Sequence, residues 1–360
     1  MSDSWQVAAT VHAPGPSEGD PAPYSGPDSF TFVRLRLRDP GGVEGNGFTG
    51  RFLAPEVAHF LNRAVSEVLK SGTIDPIAAL AAKYNPRRMG GVVVSALSAL
   101  DIALTDIAAQ RAGQSVAEFL GGKRSAAPVH VTCGFPELEE HALADTCARE
   151  VASGAAGVKV LIAAKGRSVQ EDLTRLYAVR RAIGPTADLI ADANCKMELD
   201  TALRFVEGAQ DLNLTWLEEP VIGNDTAALA RLAKEGIPLG AGQMEQSAER
   251  FEALQDAGVS VIQPNAVFLG GFQAAIKVAR KAAANGASIS MAGGWDVLNL
   301  HWICGALDHG AVELHRAQAR IARLFMADLT VVSDGMIAAP DVVGLGLIPD
   351  EVGLKSCLCD

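Results

Sequence analysis

From about residue 128 onward, short apolar runs alternate with stretches whose apolar residues recur every three or four positions. Runs this short read as strands and the stretches between them as amphipathic helices, so the chain is built of successive βα units around a parallel sheet. Strands are predicted near Val129–Cys133, Val158–Leu161, Leu189–Asp192, Thr215–Glu218, Pro238–Gly240, Val261–Gln263, Ala287–Ser290 and Ala311–Glu313. Eight strands at a repeat near 25 residues argue for an α/β fold of the (β/α)8-barrel type rather than an open doubly wound sheet. Helix ends agree with this spacing. Ser168-Val169-Gln170-Glu171 is a capping box ahead of Leu173, Leu176 and Val179, and Gly184-Pro185 closes that helix. Asp200 and Asp225 are expected to cap the next two helices, and Gly236, Gly258 and Gly286 to end helices before new strands.

The first 125 residues follow another pattern. Phe30–Leu37 alternates in strand fashion, Asp39-Pro40-Gly41-Gly42 is a turn, and Val43–Phe48 returns as a hairpin. Helical periodicity then runs through Ala54–Lys70, Ile77–Ala82 and about Val92 to Gln110. The chain therefore divides into an α+β capping domain (1–125), a barrel (126–328) and a C-terminal segment (329–360). That last segment, with Leu329–Val332, Gly335, Pro340 and Gly344-Leu345-Gly346, reads as strand and turn and is expected to return to the capping domain.

Composition narrows the function. With 360 residues, 49% hydrophobic and 20% charged, the chain can build a large globular core. Net charge is −11 and the pI near 5.2, which repels nucleic acid and acidic membrane surfaces. The six cysteines lack zinc-type pairing, and Cys357-Leu358-Cys359 suits neither zinc nor an internal bridge. No run approaches a membrane span, and the N-terminus lacks the basic start and apolar run of a signal peptide, so a cytoplasmic protein is expected.

Two strand ends carry the chemistry. Leu189-Ile190-Ala191-Asp192-Ala193-Asn194 and Leu214-Thr215-Trp216-Leu217-Glu218-Glu219-Pro220 each present a carboxylate after an apolar run, and the two carboxylates are 26 residues apart. A third stretch, ending at Gln243, follows 25 residues later with an amide. Oxygen donors on neighbouring strand ends of a barrel suit a metal ion.

The Ser95–Asp106 helix, Phe119-Leu120-Gly121-Gly122 and Trp216-Leu217-Glu218-Glu219-Pro220, together with the module order, resemble the enolase superfamily, more narrowly its mandelate racemase and muconate lactonizing branch. The resemblance spans about Phe30 to Gly346 and implies a shared chemistry: removal of the proton α to a carboxylate, with Mg²⁺ holding the enediolate. It implies Mg²⁺ ligands at Asp192, Glu218 and Gln243, hard oxygen donors of the kind this ion prefers. Gln243 departs from the acid usual there, and Glu245, two residues on, is the alternative inward group. Relatives carry Lys-x-Lys on the second barrel strand; here Lys159 matches the first lysine and Leu161 replaces the base. Lys159 is thus expected as base or carboxylate anchor, with Lys196, four past Asp192, as a second catalytic candidate. Relatives also pair an Asp at the sixth strand end with a His at the seventh; here the sixth ends Gln263-Pro264-Asn265 and the seventh runs Ile289-Ser290-Met291-Ala292-Gly293-Gly294-Trp295-Asp296, with neither half of that pair. His301 reads as a packed helix residue, whereas Asn194, Glu245, Asp296 and Glu313 are the candidate substrate contacts. Glu313 is otherwise a buried partner of Arg316 or Arg320. The segment around His12 and Tyr24 corresponds to the substrate-selecting lid of the family.

The resemblance implies a lyase that dehydrates a hydroxylated carboxylic acid, a small-molecule sugar acid, and a homo-oligomeric assembly. A racemase needs acid–base groups on both faces of the substrate, so the missing seventh-strand His argues against one. The competing expectations are a catalytically silent relative that binds a carboxylate ligand or works as a structural subunit, and a racemase or isomerase with atypical bases.

Overall fold

The structure, a computed structural model, describes residues 4–16, 30–85, 87, 90–326 and 330–359. Tyr24 and Leu329 lie outside them. The N-terminal sheet is β1 (Gln6–His12), β2 (Phe32–Arg38) and β3 (Glu44–Thr49), antiparallel in that order. The barrel strands are β4 (Ala126–Gly134), β5 (Gly157–Leu161), β6 (Asp188–Asp192), β7 (Trp216–Glu218), β8 (Leu239–Ala241), β9 (Val261–Ile262), β10 (Ser288–Met291) and β11 (Ala311–His315). All eight are parallel, each pairs with the next, and β11 pairs back with β4 to close the cylinder. Every predicted barrel strand is present. Closure removes the free edges an open sheet would leave. A last strand, β12 (Met336–Ala338), lies antiparallel on β4 at its N-terminal end.

Helix ends follow the local chemistry closely. Ser168 and Glu171 form the reciprocal capping box, and Asp225 accepts from the Ala228 amide at 2.8 Å. Asp200 is no cap: Glu198 holds the N-cap position, and Asp200 sits in the first turn, where its charge favours the helix dipole. The Ala54–Lys70 helix is broken by a π segment, Leu61–Val65. Within it the Asn62 amide accepts from Ala9 N at 2.8 Å and donates to Ala9 O at 2.9 Å, satisfying both backbone polar groups of that β1 residue.

β1 corrects the lid assignment at His12. His12 is buried, stacks on Phe32 with ring centroids 5.2 Å apart, and its Nδ1 lies 3.0 Å from Leu354 O. The helix Glu351–Ser356 carrying Leu354 also supplies Glu351, which pairs with the buried Arg34 of β2 at 3.1 Å. The C-terminal segment thus ends against the N-terminal sheet.

The helix Val92–Ala112 is long and apolar enough to cross a membrane, but it is mostly buried within the protein. It lies so close on β3 that only glycine fits there: a Cβ at Gly45 would stand 2.3 Å from Ala103 O, and one at Gly47 1.8 Å from Ala99 O. Its far face meets the barrel. The buried Asp101 accepts from Phe272 N at 2.6 Å, and Ser98 accepts from Gly270 N at 2.7 Å, fixing the loop after β9. Burial lifts the Asp101 carboxyl to about 6.

His301 is packed in the helix Asp296–Ala306, fully buried, with Nε2 3.3 Å from Leu345 O. Burial lowers its pKa from 6.5 to about 4.

Two outcomes follow from this packing. Gly47→Ala sets a methyl against a backbone carbonyl that cannot rotate away, so it lowers unfolding free energy by at least about 2 kcal/mol in urea titration; an unchanged midpoint contradicts the packing described. For His301, the unfolded chain binds a proton below 6.5 that the folded chain refuses until about 4. Stability is therefore lost as pH falls through that window, by about 3 kcal/mol in full. Measured between pH 7 and 4, the wild type loses more stability than His301→Asn; parallel profiles refute the assignment.

Candidate active site

Strand register builds the site. Leu161 lies level with Asp192, Asp192 with Glu218, and Glu218 with Gly240, so the C-terminal ends of β5 to β8 form one row at the barrel mouth. Residues two apart share a strand face. Lys159 therefore stands one layer below Leu161, and Glu313 one layer below His315. From that lower layer the Lys159 ammonium reaches three carboxylates: Glu218 Oε1 at 2.7 Å, Glu313 Oε1 at 2.8 Å and Asp192 Oδ2 at 3.5 Å.

Each carboxylate is fixed from behind. Glu218 Oε2 accepts from Trp216 Nε1 at 3.1 Å and Gln263 Nε2 at 2.8 Å. Glu313 accepts from the Thr132 hydroxyl and from Gly294 N at 2.8 Å. Asp192 Oδ1 accepts from Asn194 N at 2.8 Å. Glu219 takes a left-handed backbone, φ 40, which turns its carboxylate away from Glu218. There it accepts from Gln243 Nε2 at 2.7 Å, Asn224 Nδ2 at 3.2 Å and Gly242 N at 3.4 Å.

Three buried carboxylates thus face one buried ammonium, a formal excess of two negative charges, and the buried Glu219 behind Glu218 adds a further carboxylate without a cationic partner among the described residues. Burial, then the charge of Glu218, pushes the Asp192 carboxyl well above its usual range. Burial also raises Glu219. For Lys159 burial works downward, but Glu218, Glu313 and Asp192 outweigh it and hold the ammonium well above the usual lysine range. At Glu313 burial works upward, yet Lys159 outweighs it and holds the carboxyl at about 2. Excess buried charge of one sign is costly unless a counter-ion is present.

Above this layer opens a cleft with a cavity volume of about 140 Å³, lined by barrel residues and by Phe30, Thr31, Gly50, Arg51 and Phe52 of the N-terminal module. Of the residues singled out in the sequence, Lys159, Asp192, Asn194, Lys196, Gln243 and Glu313 all line it, and Glu218 lies just beneath on Lys159. Lys196 is exposed at the rim, and Glu313 pairs with Lys159 rather than with Arg316 or Arg320.

Two candidates do not reach the cleft. Glu245 is paired with Arg250 at 2.8 Å, because the arginine five residues on returns over it at the start of the next helix. Asp296 follows Trp295, whose left-handed backbone (φ 63) turns the chain; its carboxylate is buried against the Thr330 hydroxyl at 3.0 Å, and burial lifts it to about 6. Asn265 is fully used in structure, donating to Ala292 O and Gly294 O and accepting from Val267 N and Asn299 Nδ2.

Sequence reasoning missed Glu219, Arg51, Trp295, Gln318 and His315, the last four of which line the cleft. His315 was legible in principle: extending the eighth strand by two residues puts it on the inward face above Glu313.

The sequence matches the family described as Enolase C-terminal domain-like over residues 142–352, and the Mandelate racemase / muconate lactonizing enzyme N-terminal domain over 25–121. It is 28% identical over 330 residues to a 3,6-anhydro-alpha-L-galactonate cycloisomerase of Streptomyces coelicolor, covering 89% of this chain and 90% of that protein. It is also 28% identical to an arabinonate dehydratase of Saccharolobus solfataricus, covering 71% and 70%. Among solved structures, a racemase from Streptomyces coelicolor with bound magnesium superposes with a TM-score of 0.86 at 25% identity, covering 98% of this chain and 99% of that one. Matching in both its barrel and its N-terminal module, the chain belongs to the enolase superfamily, in the mandelate racemase and muconate lactonizing enzyme branch.

Proposed function

We propose that this enzyme is a lyase that removes the proton α to the carboxylate of a hydroxylated sugar acid and expels a β-hydroxyl as water, with Mg²⁺ as cofactor. The excess of buried carboxylates around one ammonium at the strand ends carries the reading. The donor set fits the ion: Asp192 and Glu218 offer hard anionic oxygens, and Gln243, having given its N–H to Glu219, keeps an amide oxygen that takes no hydrogen bond among the described residues. When bound, Mg²⁺ supplies the positive charge against which a second negative charge on the substrate is stabilised.

The chain's own groups do the rest. Lys159 holds Asp192, Glu218 and Glu313 in one arrangement, hydrogen-bonded to Glu218 and ion-paired with the other two, and so acts as a clamp rather than as the base. Asn194 and Lys196, at the cleft wall and rim, receive the substrate's hydroxyl and carboxylate groups. Glu313, immobilised by Thr132, Gly294 and Lys159, presents a fixed acceptor to them. Phe30, Arg51 and Phe52 cover the cleft and reduce its contact with water. On the β9 and β10 side stand Asn265, its amide donating to backbone carbonyls, and Met291, neither of which can act as an acid or base near neutral pH. One-sided proton transfer suits elimination and not racemisation. The arabinonate dehydratase and a Salmonella typhimurium L-talarate/galactarate dehydratase among the relatives support this class. Cycloisomerisation of an anhydro sugar acid is the second reaction favoured, by the relative that aligns over 89% of the chain.

Mg²⁺ is expected to raise the melting temperature, since saturation at ~100 Kd stabilises by about 2.7 kcal/mol, and a panel of sugar acids to yield a 2-keto product. Glu218→Gln removes both effects. A wild type with neither response contradicts the proposal. Gln243→Glu puts a carboxylate against Glu219 where an N–H now donates. Without Mg²⁺ it is expected to cost about 2 kcal/mol, and with Mg²⁺ to show a larger thermal shift than wild type. Equal shifts in both proteins show that Gln243 does not touch the ion.

A further inference from the structure

Building on the elimination proposed above, we infer that His315, on the eighth barrel strand, is the base that takes the α-proton and the acid that returns it to the departing hydroxyl.

Position is the first reason. His315 ends β11, one step above Glu313 on the same inward face, and lines the cleft with Lys159, Asp192, Asn194 and Gln243. Its strand is held by β4 on one side, with His315 opposite Thr132, so the ring rises from rigid backbone rather than from a loop. The ring lies against Phe135, centroids 5.4 Å apart, and Nδ1 is buried with no hydrogen-bond partner among the described residues. With Nδ1 packed away, Nε2 is the nitrogen left to the cleft.

Elimination of the other groups is the second reason. Lys159 is enclosed by three carboxylates, and Glu313 is held by three donors. Asp192 is committed to the metal in the proposed chemistry. Leu161 stands level with Asp192 where a proton carrier would face the substrate, and Asn265 is locked to backbone. Lys196 lines the cleft only from its exposed rim, where the proposed chemistry already uses it to receive the substrate's polar groups. Burial, moreover, lowers the His315 pKa below its ordinary value, which keeps the imidazole neutral and able to accept a proton.

The step balances with no further reactant. The α C–H bond breaks, its proton goes to Nε2 and its electron pair into the enediolate. The β C–O bond then breaks, the imidazolium proton joins the leaving hydroxyl, and water departs, leaving neutral His315 and an enol that tautomerises to the 2-keto acid. One group serving both transfers requires that they occur on one face of the substrate.

The test uses the Mg²⁺-loaded enzyme on whichever sugar acid the wild type dehydrates. His315→Ala is expected to lower kcat at least about 100-fold, with KM within a few-fold and the Mg²⁺ thermal shift unchanged. Added imidazole restores part of the rate, which no structural role predicts. His315→Gln, closer in volume, guards against misfolding and is expected to lose exchange of the α-proton with deuterated solvent. Turnover within threefold of wild type, or retained α-exchange in His315→Gln, overturns the assignment of His315 while leaving the lyase reading intact. Absence of turnover and exchange in the wild type defeats the lyase reading itself.

Discussion

The structure depends on one buried ammonium. Lys159 rises from the second barrel strand into a layer where Asp192, Glu218 and Glu313 converge, and it is the cation that lets three strands carry carboxylates within ion-pair distance of one shared partner. Removing one partner of such a set leaves uncompensated buried charge, the costliest kind of defect. The remaining excess of negative charge is what suits the site to the proposed cation rather than to a neutral salt-bridge network. Every supporting donor, from Trp216 and Gln263 on Glu218 to Thr132 and Gly294 on Glu313, fixes where that charge points.

The cap is tied to the same frame. Val92–Ala112 sits on β3 through glycines and reaches the barrel through Ser98 and Asp101, whose acceptors hold the loop that follows β9. Phe30 and Arg51 are thereby brought over the cleft by rigid packing, so the residues that line it from above are set by a helix some distance away.

Much of this was readable from the chain because strands buried on both faces are short apolar runs, and a carboxylate directly after such a run has only the barrel mouth to occupy. That logic found Asp192, Glu218 and all eight strands. It failed where position depends on one backbone torsion or on a residue that returns from elsewhere. Glu219 looks like a duplicate of Glu218 until its left-handed φ of 40 turns it to Gln243. The amide at 243 then reads as the donor Glu219 requires, and not merely as a weakened ligand. Asp296 was misplaced because Trp295 turns the chain just before it, and Glu245 because Arg250 folds back over it. β1 stayed hidden beside a Gly/Pro-rich stretch, and His315 because the eighth strand was ended two residues early.

The most direct measurement is anomalous diffraction from a crystal soaked in Mn²⁺, a heavier stand-in for Mg²⁺. The account predicts a single strong peak within coordination distance of Asp192, Glu218 and the Gln243 amide oxygen. A map with no peak there, with Lys159 alone neutralising the carboxylates, would contradict it.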